Sequence, residues 1–114
     1  MNNNIGVAVL DTGIYKHIDF GNRIIAFKDF INNRAFPYDD SGHGTHVSGI
    51  AAGCVLSDDG GYEFAGSAPG AQILALKVFS SDPAERGTSS DVYLAALEDA
   101  YTLGADVINM SLGA

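Results

Sequence analysis

Ile5-Gly6-Val7-Ala8-Val9-Leu10, followed at once by Asp11-Thr12-Gly13, is the stretch that decides the fold class. The apolar run is continuous, rich in branched residues and of strand length. A strand with one wet face would alternate; a continuous run fits a strand covered on both faces, as in a parallel sheet. Asp11-Thr12-Gly13 ends it, because polar side chains and glycine favour a turn. Open α/β sheets gather ligand and catalytic groups just beyond their strand C-termini. Asp11 therefore stands where such a group would stand, although taken alone an aspartate here is more often a turn or cap residue.

Outward from that strand, Arg23 to Phe30 is a second strand candidate, interrupted by Lys28 and Asp29. Asn32 to Gly44 is polar and turn-rich. His43 opens a helix running to about Val55, with Val47, Ile50, Ala51 and Cys54 recurring at three and four residues as one apolar stripe. Gly44 and Gly49 are poor helix formers that permit close backbone approach. Gln72 to Phe79 is the third strand candidate. Ser89 or Ser90 can cap the next helix, which Val92, Ala96, Ala100 and Leu103 continue and Gly104 ends. Asp106 to Met110 returns to a short apolar strand. The order strand, strand, helix, strand, helix, strand predicts parallel pairing with right-handed crossovers. Because the last strand looks internal and no later helix covers its face, the reading expects a piece of a larger domain.

Composition bounds the function. A chain of 114 residues holds one domain at most. It would expose roughly 6,000 Å² when folded, enough to enclose a modest core. Hydrophobic residues make up 46%, which fits a globular chain. The 14 acidic and 6 basic residues give a net charge of −8, which argues against nucleic acid or an anionic membrane as partner. No apolar run reaches the roughly 18 residues of a transmembrane span. Met1-Asn2-Asn3-Asn4 lacks a basic region and a signal-peptide core. The single Cys54 excludes an internal disulfide framework and a cysteine-rich metal site.

The chemistry-bearing residues sit at element ends. His43 begins a helix inside Asp39-Asp40-Ser41-Gly42-His43-Gly44-Thr45-His46. An aspartate able to accept the Nδ1 proton of a histidine is an arrangement for orientation and general-base chemistry. Neither residue is a nucleophile. Ser41 reads as turn bonding, Ser48 as helix packing, and Ser111 as a strand-end hydroxyl with no sign of activation.

Three segments carry a resemblance beyond these local readings. They are Val7-Ala8-Val9-Leu10-Asp11-Thr12-Gly13-Ile14, then His43-Gly44-Thr45-His46-Val47-Ser48-Gly49-Ile50-Ala51-Ala52-Gly53, then Val107-Ile108-Asn109-Met110-Ser111-Leu112-Gly113. Between them, Gly66 to Ala71 and Leu76-Lys77-Val78 also fit. In order and spacing across nearly the whole chain, the sequence resembles the N-terminal part of the catalytic domain of the subtilisin-like serine proteases, the subtilases. The resemblance implies an α/β, three-layer subtilisin-like fold with a largely parallel sheet, incomplete in this chain, and residues 1–114 as one portion of the peptidase domain.

The resemblance also implies roles. Asp11 matches the triad aspartate and His43 the general base. Ser111, Leu112 and Gly113 match the strand that lines the first specificity pocket and pairs with the substrate backbone, a form of strand addition. Leu112 and the glycines give one side of that pocket an apolar lining. His46 matches a second, structural histidine; reading it with His43 as a metal pair lacks a third ligand or a His-Glu-x-x-His signature. Asp19 matches an aspartate that can bind structural calcium in secreted relatives; Asp58 and Asp59 are oxygen ligands suited to calcium, but their segment does not align cleanly and a solvated acidic loop is its default reading. No organic cofactor is implied. The nucleophilic serine and the oxyanion-hole asparagine belong to segments after Gly113, and Asn109 is not that asparagine. The expected parent is thus an endopeptidase acting on polypeptides through Asp, His and Ser, with the remaining catalytic segment supplied in cis or by a second chain. The 114 residues alone are expected to be inactive. The competing reading is a noncatalytic protein-binding fragment that recruits another chain through the edge of its last strand. Location reads as secreted or cell-envelope, with intracellular members also known in the family.

Overall fold

The computed structural model describes residues 5–56, 59, 61–81 and 89–111. Strand β1 (Gly6–Asp11) is buried at every position. It sits inside a four-stranded sheet of order β2-β5-β1-β6, formed with β2 (Ile24–Asp29), β5 (Gln72–Lys77) and β6 (Val107–Met110). All three pairings are parallel. Val9 stands opposite Ala75 on one side and Asn109 on the other.

The continuous apolar run of β1 splits between two faces, as a strand period of two requires. Val7 and Val9 join Ile73, Ala75, Ile14, Phe20 and Ala52 in one core. Ala8 and Leu10 join Leu74, Leu76, Ala96 and Ala100 in another. Helix α1 (His43–Ala52) supplies the first face and helix α2 (Ser90–Thr102) the second. The result is a helix–sheet–helix sandwich, the α/β architecture anticipated from the sequence.

Three details differ from the sequence reading. Helix α1 ends at Ala52, not near Val55; Gly53 turns extended, and Cys54–Leu56 becomes β3, paired antiparallel with β4 (Tyr62–Ala65). The face that α1 buries is Gly44, Ser48 and Ala52, while Ile50 is 55% exposed. These buried positions are four apart and carry small side chains, so the helix lies close to the sheet, with Val47 and Ala51 packing at its flank. Strand β6 reads as an inner strand, yet it stands at the edge of the sheet among the described residues; Val107, Ile108 and Met110 are exposed, in keeping with the uncovered face expected of it.

Candidate active site

Asp11 is the last residue of β1 and is 1% exposed. Its main-chain carbonyl accepts from the N–H groups of Val78 (2.8 Å) and Phe79 (3.2 Å), which follow β5. Its Oδ1 accepts from the Thr12 N–H at 2.7 Å. His43 Nδ1 lies 2.8 Å from that Oδ1 and 3.0 Å from Oδ2. The Ser111 hydroxyl donates to Oδ2. A carboxylate only accepts, so the contact requires His43 Nδ1 to carry its proton and leaves Nε2 as the basic nitrogen. The imidazole is 60% exposed, so a reactant can reach it. This pair can orient a base and support the imidazolium that forms when the base takes a proton.

The sheet carries Asp11 and α1 carries His43, so their separation depends on how α1 docks. Gly42, at the N-cap, has a left-handed backbone (φ 89°) and offers no side-chain cap. Asp39 takes that role. Its Oδ1 accepts from the N–H of Gly42 (2.8 Å) and of Ser41 (3.2 Å), and its Oδ2 accepts from the N–H (2.8 Å) and hydroxyl (2.6 Å) of Thr45. The Thr12 hydroxyl donates to Asp39 Oδ1 at 2.7 Å and accepts from Gly44 N–H at 2.8 Å. Burial pushes the Asp39 carboxyl up, but the donors from Thr45, Thr12 and Gly42 outweigh it and hold the carboxyl below its ordinary value. Gly44 is needed for a steric reason as well. A side chain there would overlap the Gly13 carbonyl oxygen, and one at Gly13 would overlap that of Tyr38.

A second set of polar contacts holds the Thr12 carbonyl. Lys77, fully buried at the end of β5, donates from Nζ to Thr12 O (2.6 Å) and Phe79 O (2.8 Å) and pairs with Asp40 Oδ1 (2.6 Å). Its ammonium sits 5.0 Å from the centre of the Tyr38 ring. Burial raises the Asp40 carboxyl, yet the Lys77 bond and the Ser81 N–H hold it below the usual value. Asp29, at the end of β2, accepts from the N–H groups of Ile31, Asn32 and Arg34 and from the Tyr38 hydroxyl, and these overcome its burial to lower it too. Burial and the charge of Asp11 both push the Tyr93 phenol up. Its hydroxyl donates to Ser111 O at 3.3 Å.

The structure thus brings Asp11, His43 and Ser111 together. Leu112, Gly113 and Asp58 lie outside the described residues. Asp19 lies elsewhere, 3.5 Å through Oδ1 from His17 Nδ1, and Asp59 is exposed. Among the described residues no three His, Cys, Asp or Glu side chains form a group that could hold a metal ion. His46 is exposed on α1. Thr12, Asp39, Lys77 and Tyr93 were not singled out from the sequence; the run Asp39-Asp40 before an uncapped helix start was the available signal for Asp39.

The chain is similar to known proteins along nearly its whole length. The sequence model described as the subtilase family matches residues 2–114. Serine protease AprX of Bacillus subtilis (strain 168) is 40% identical over 115 residues, covering 96% of this chain and 25% of that protein. Thermitase of Thermoactinomyces vulgaris is 38% identical over 108 residues, covering 94% of this chain and 37% of its own length. Among solved structures, the S41 psychrophilic protease superposes with a TM-score of 0.75 at 36% identity, over 99% of this chain and 38% of that one. Fervidolysin from Fervidobacterium pennivorans, a keratinolytic enzyme related to subtilisin, gives 0.74 at 33% identity, over 95% of this chain and 17% of its own. The chain therefore spans between about a sixth and two-fifths of the relatives it matches here.

Proposed function

The chain belongs to the subtilase family, and on that premise we propose that residues 1–114 supply the aspartate and histidine of a serine endopeptidase. The observation that carries the reading is the 2.8 Å contact between His43 Nδ1 and buried Asp11. His43 Nε2 takes the proton of a serine hydroxyl as that oxygen attacks a peptide carbonyl, then gives it to the departing amine. In the second half of the cycle the same nitrogen deprotonates water, which attacks the acyl-enzyme. Asp11 holds the tautomer throughout. The serine and the side-chain donor for the oxyanion come from a further segment, in cis or on a second chain, and the 114 residues alone do not turn over substrate.

Ser111 bonds Asp11 through its side chain, and its backbone continues the end of β6, where Ser111 N–H donates to Leu10 O at 3.3 Å. That position supports Ser111, with Leu112 and Gly113, as the strand that pairs with a polypeptide substrate. Calcium at Asp19 rests on the resemblance alone; calorimetric titration of the full-length protein with Ca²⁺ decides it.

A fluorophosphonate probe, read by intact mass, tests the main reading. Labelling of the full-length protein, or of a chain that co-purifies with this one, is the expected result, together with its loss in His43→Ala. A native product that stays unlabelled while a control protease labels would leave a noncatalytic binding protein.

A further inference from the structure

Resting on the protease reading above, we propose that Asp39 is a positioning residue that fixes the Asp11–His43 geometry by bridging Thr12 to the start of α1. A closed circuit carries this. Asp11 Oδ1 accepts from Thr12 N–H, the Thr12 hydroxyl donates to Asp39 Oδ1, Asp39 Oδ2 accepts from Thr45 N–H, and α1 returns through His43 to Asp11. The Gly44 N–H bond to the Thr12 hydroxyl crosses the circuit at 2.8 Å. An ordinary N-cap satisfies the donors of its own helix and ends there. Asp39 satisfies the N–H and hydroxyl of Thr45 in the first turn of α1 and also holds Thr12, the residue next to Asp11. One carboxylate therefore touches both bodies whose separation sets the Nδ1–carboxylate contact.

The chemistry demands a carboxylate. Asp39 accepts five hydrogen bonds through two oxygens and donates none. An amide would turn one of those oxygens into a donor facing other donors. The helix dipole adds to the preference, since an anion is stabilised at a helix N-terminus. A displacement of about 1 Å in a reacting group can cost on the order of 100-fold in rate. The expected loss therefore falls in kcat, with KM little changed, because Asp39 is placed against the dyad's framework and not against the peptide.

The test uses the full-length protein, with Asp39→Asn, Thr12→Val and Thr12→Ser. Steady-state turnover of a peptide substrate, thermal unfolding and the downfield NMR signal of the His43 Nδ1 proton are measured on each. Asp39→Asn and Thr12→Val are expected to lower kcat roughly 10- to 100-fold, shift or broaden the Nδ1 signal, and combine without further loss. Thr12→Ser, which keeps the hydroxyl, is expected to stay near the parent in all three. An unchanged kcat and an unmoved Nδ1 signal beside a lowered melting temperature would overturn the proposal and leave Asp39 a helix cap. Should Asp39→Asn fail to fold, Thr12→Val against Thr12→Ser decides between the same outcomes. Should the parent neither turn over peptide nor label, the protease reading fails by itself. The Nδ1 signal still judges the positioning role in that case.

Discussion

Helix α2 starts on its own serine: the Ser89 hydroxyl accepts from Val92 N–H at 3.2 Å. Helix α1 starts on Gly42, which has no side chain, and borrows Asp39 from the preceding loop, together with Thr12 from the far end of β1. The two helices flank one sheet and pack small residues onto it: Ala96 and Ala100 from α2, Gly44, Ser48 and Ala52 from α1. They differ in what their first turn must accomplish. A local cap fixes where a helix begins along the chain. A cap borrowed from two other segments fixes where it begins in space, and that is what a histidine aimed at an aspartate on another element requires.

The largest expected break in this comparison is Gly44→Ala. Its new methyl would overlap the Gly13 carbonyl oxygen and lie 3.1 Å from Gly13 N, both immobile backbone atoms. We expect about 3 kcal/mol of lost stability by denaturant unfolding of the full-length protein, with the His43 Nδ1 signal displaced. Unaltered unfolding would mean that α1 has room to spare at its start.

Acid comes next. Asp29, Asp39 and Asp40 are all held below the ordinary carboxyl value in the folded chain by the hydrogen bonds they accept. A group depressed on folding contributes stability above its unfolded value and loses it as pH falls through its folded one. Stability should therefore hold down to about pH 4 and decline below it. Replacing Asp39 with Asn should flatten that decline, whereas Ser89→Ala should leave its slope alone. Parallel acid limbs for all three proteins would contradict the assignment.

Ser89→Ala itself should cost about 1 kcal/mol and leave the His43 Nδ1 signal where it was. The smallest effect has the opposite sign. Ser48 Oγ is buried on the sheet-facing side of α1 with no hydrogen-bond partner among the described residues. Ser48→Ala removes that cost and improves helix propensity, so a gain of up to about 1 kcal/mol is expected in the melting curve. A loss would show that the hydroxyl has a partner after all.

The comparison also marks what the chain reveals of itself. Ser89 was readable as a cap because the group it satisfies lies within one turn. Strand β1 was readable because both of its faces are apolar and both are covered. The apolar stripe of α1 was legible only in part: Val47 and Ala51 pack against the core, but the sheet-facing positions are the small Gly44, Ser48 and Ala52, and Ile50 is left outside. The β3–β4 pair escaped because its strands are short and the sequence between them is polar. Asp11 and His43 were legible as candidates from their places at element ends, and as a pair through the resemblance. Thr12, Asp39 and Lys77 were not, since their meaning lies in contacts tens of residues apart. Strand β6 shows the reverse case: its sequence is as apolar as that of an inner strand, but burial depends on neighbours that the sequence of the strand does not contain.

The lysines of the chain are Lys16, Lys28 and Lys77. The first two stand in solvent, and the third has no accessible surface and three oxygen partners. An amine-acylating reagent would mark Lys16 and Lys28 at once and leave Lys77 untouched until the end of β5 comes away from Thr12. Peptide mapping of that one amine is therefore a built-in gauge of when the floor beneath Asp11 opens.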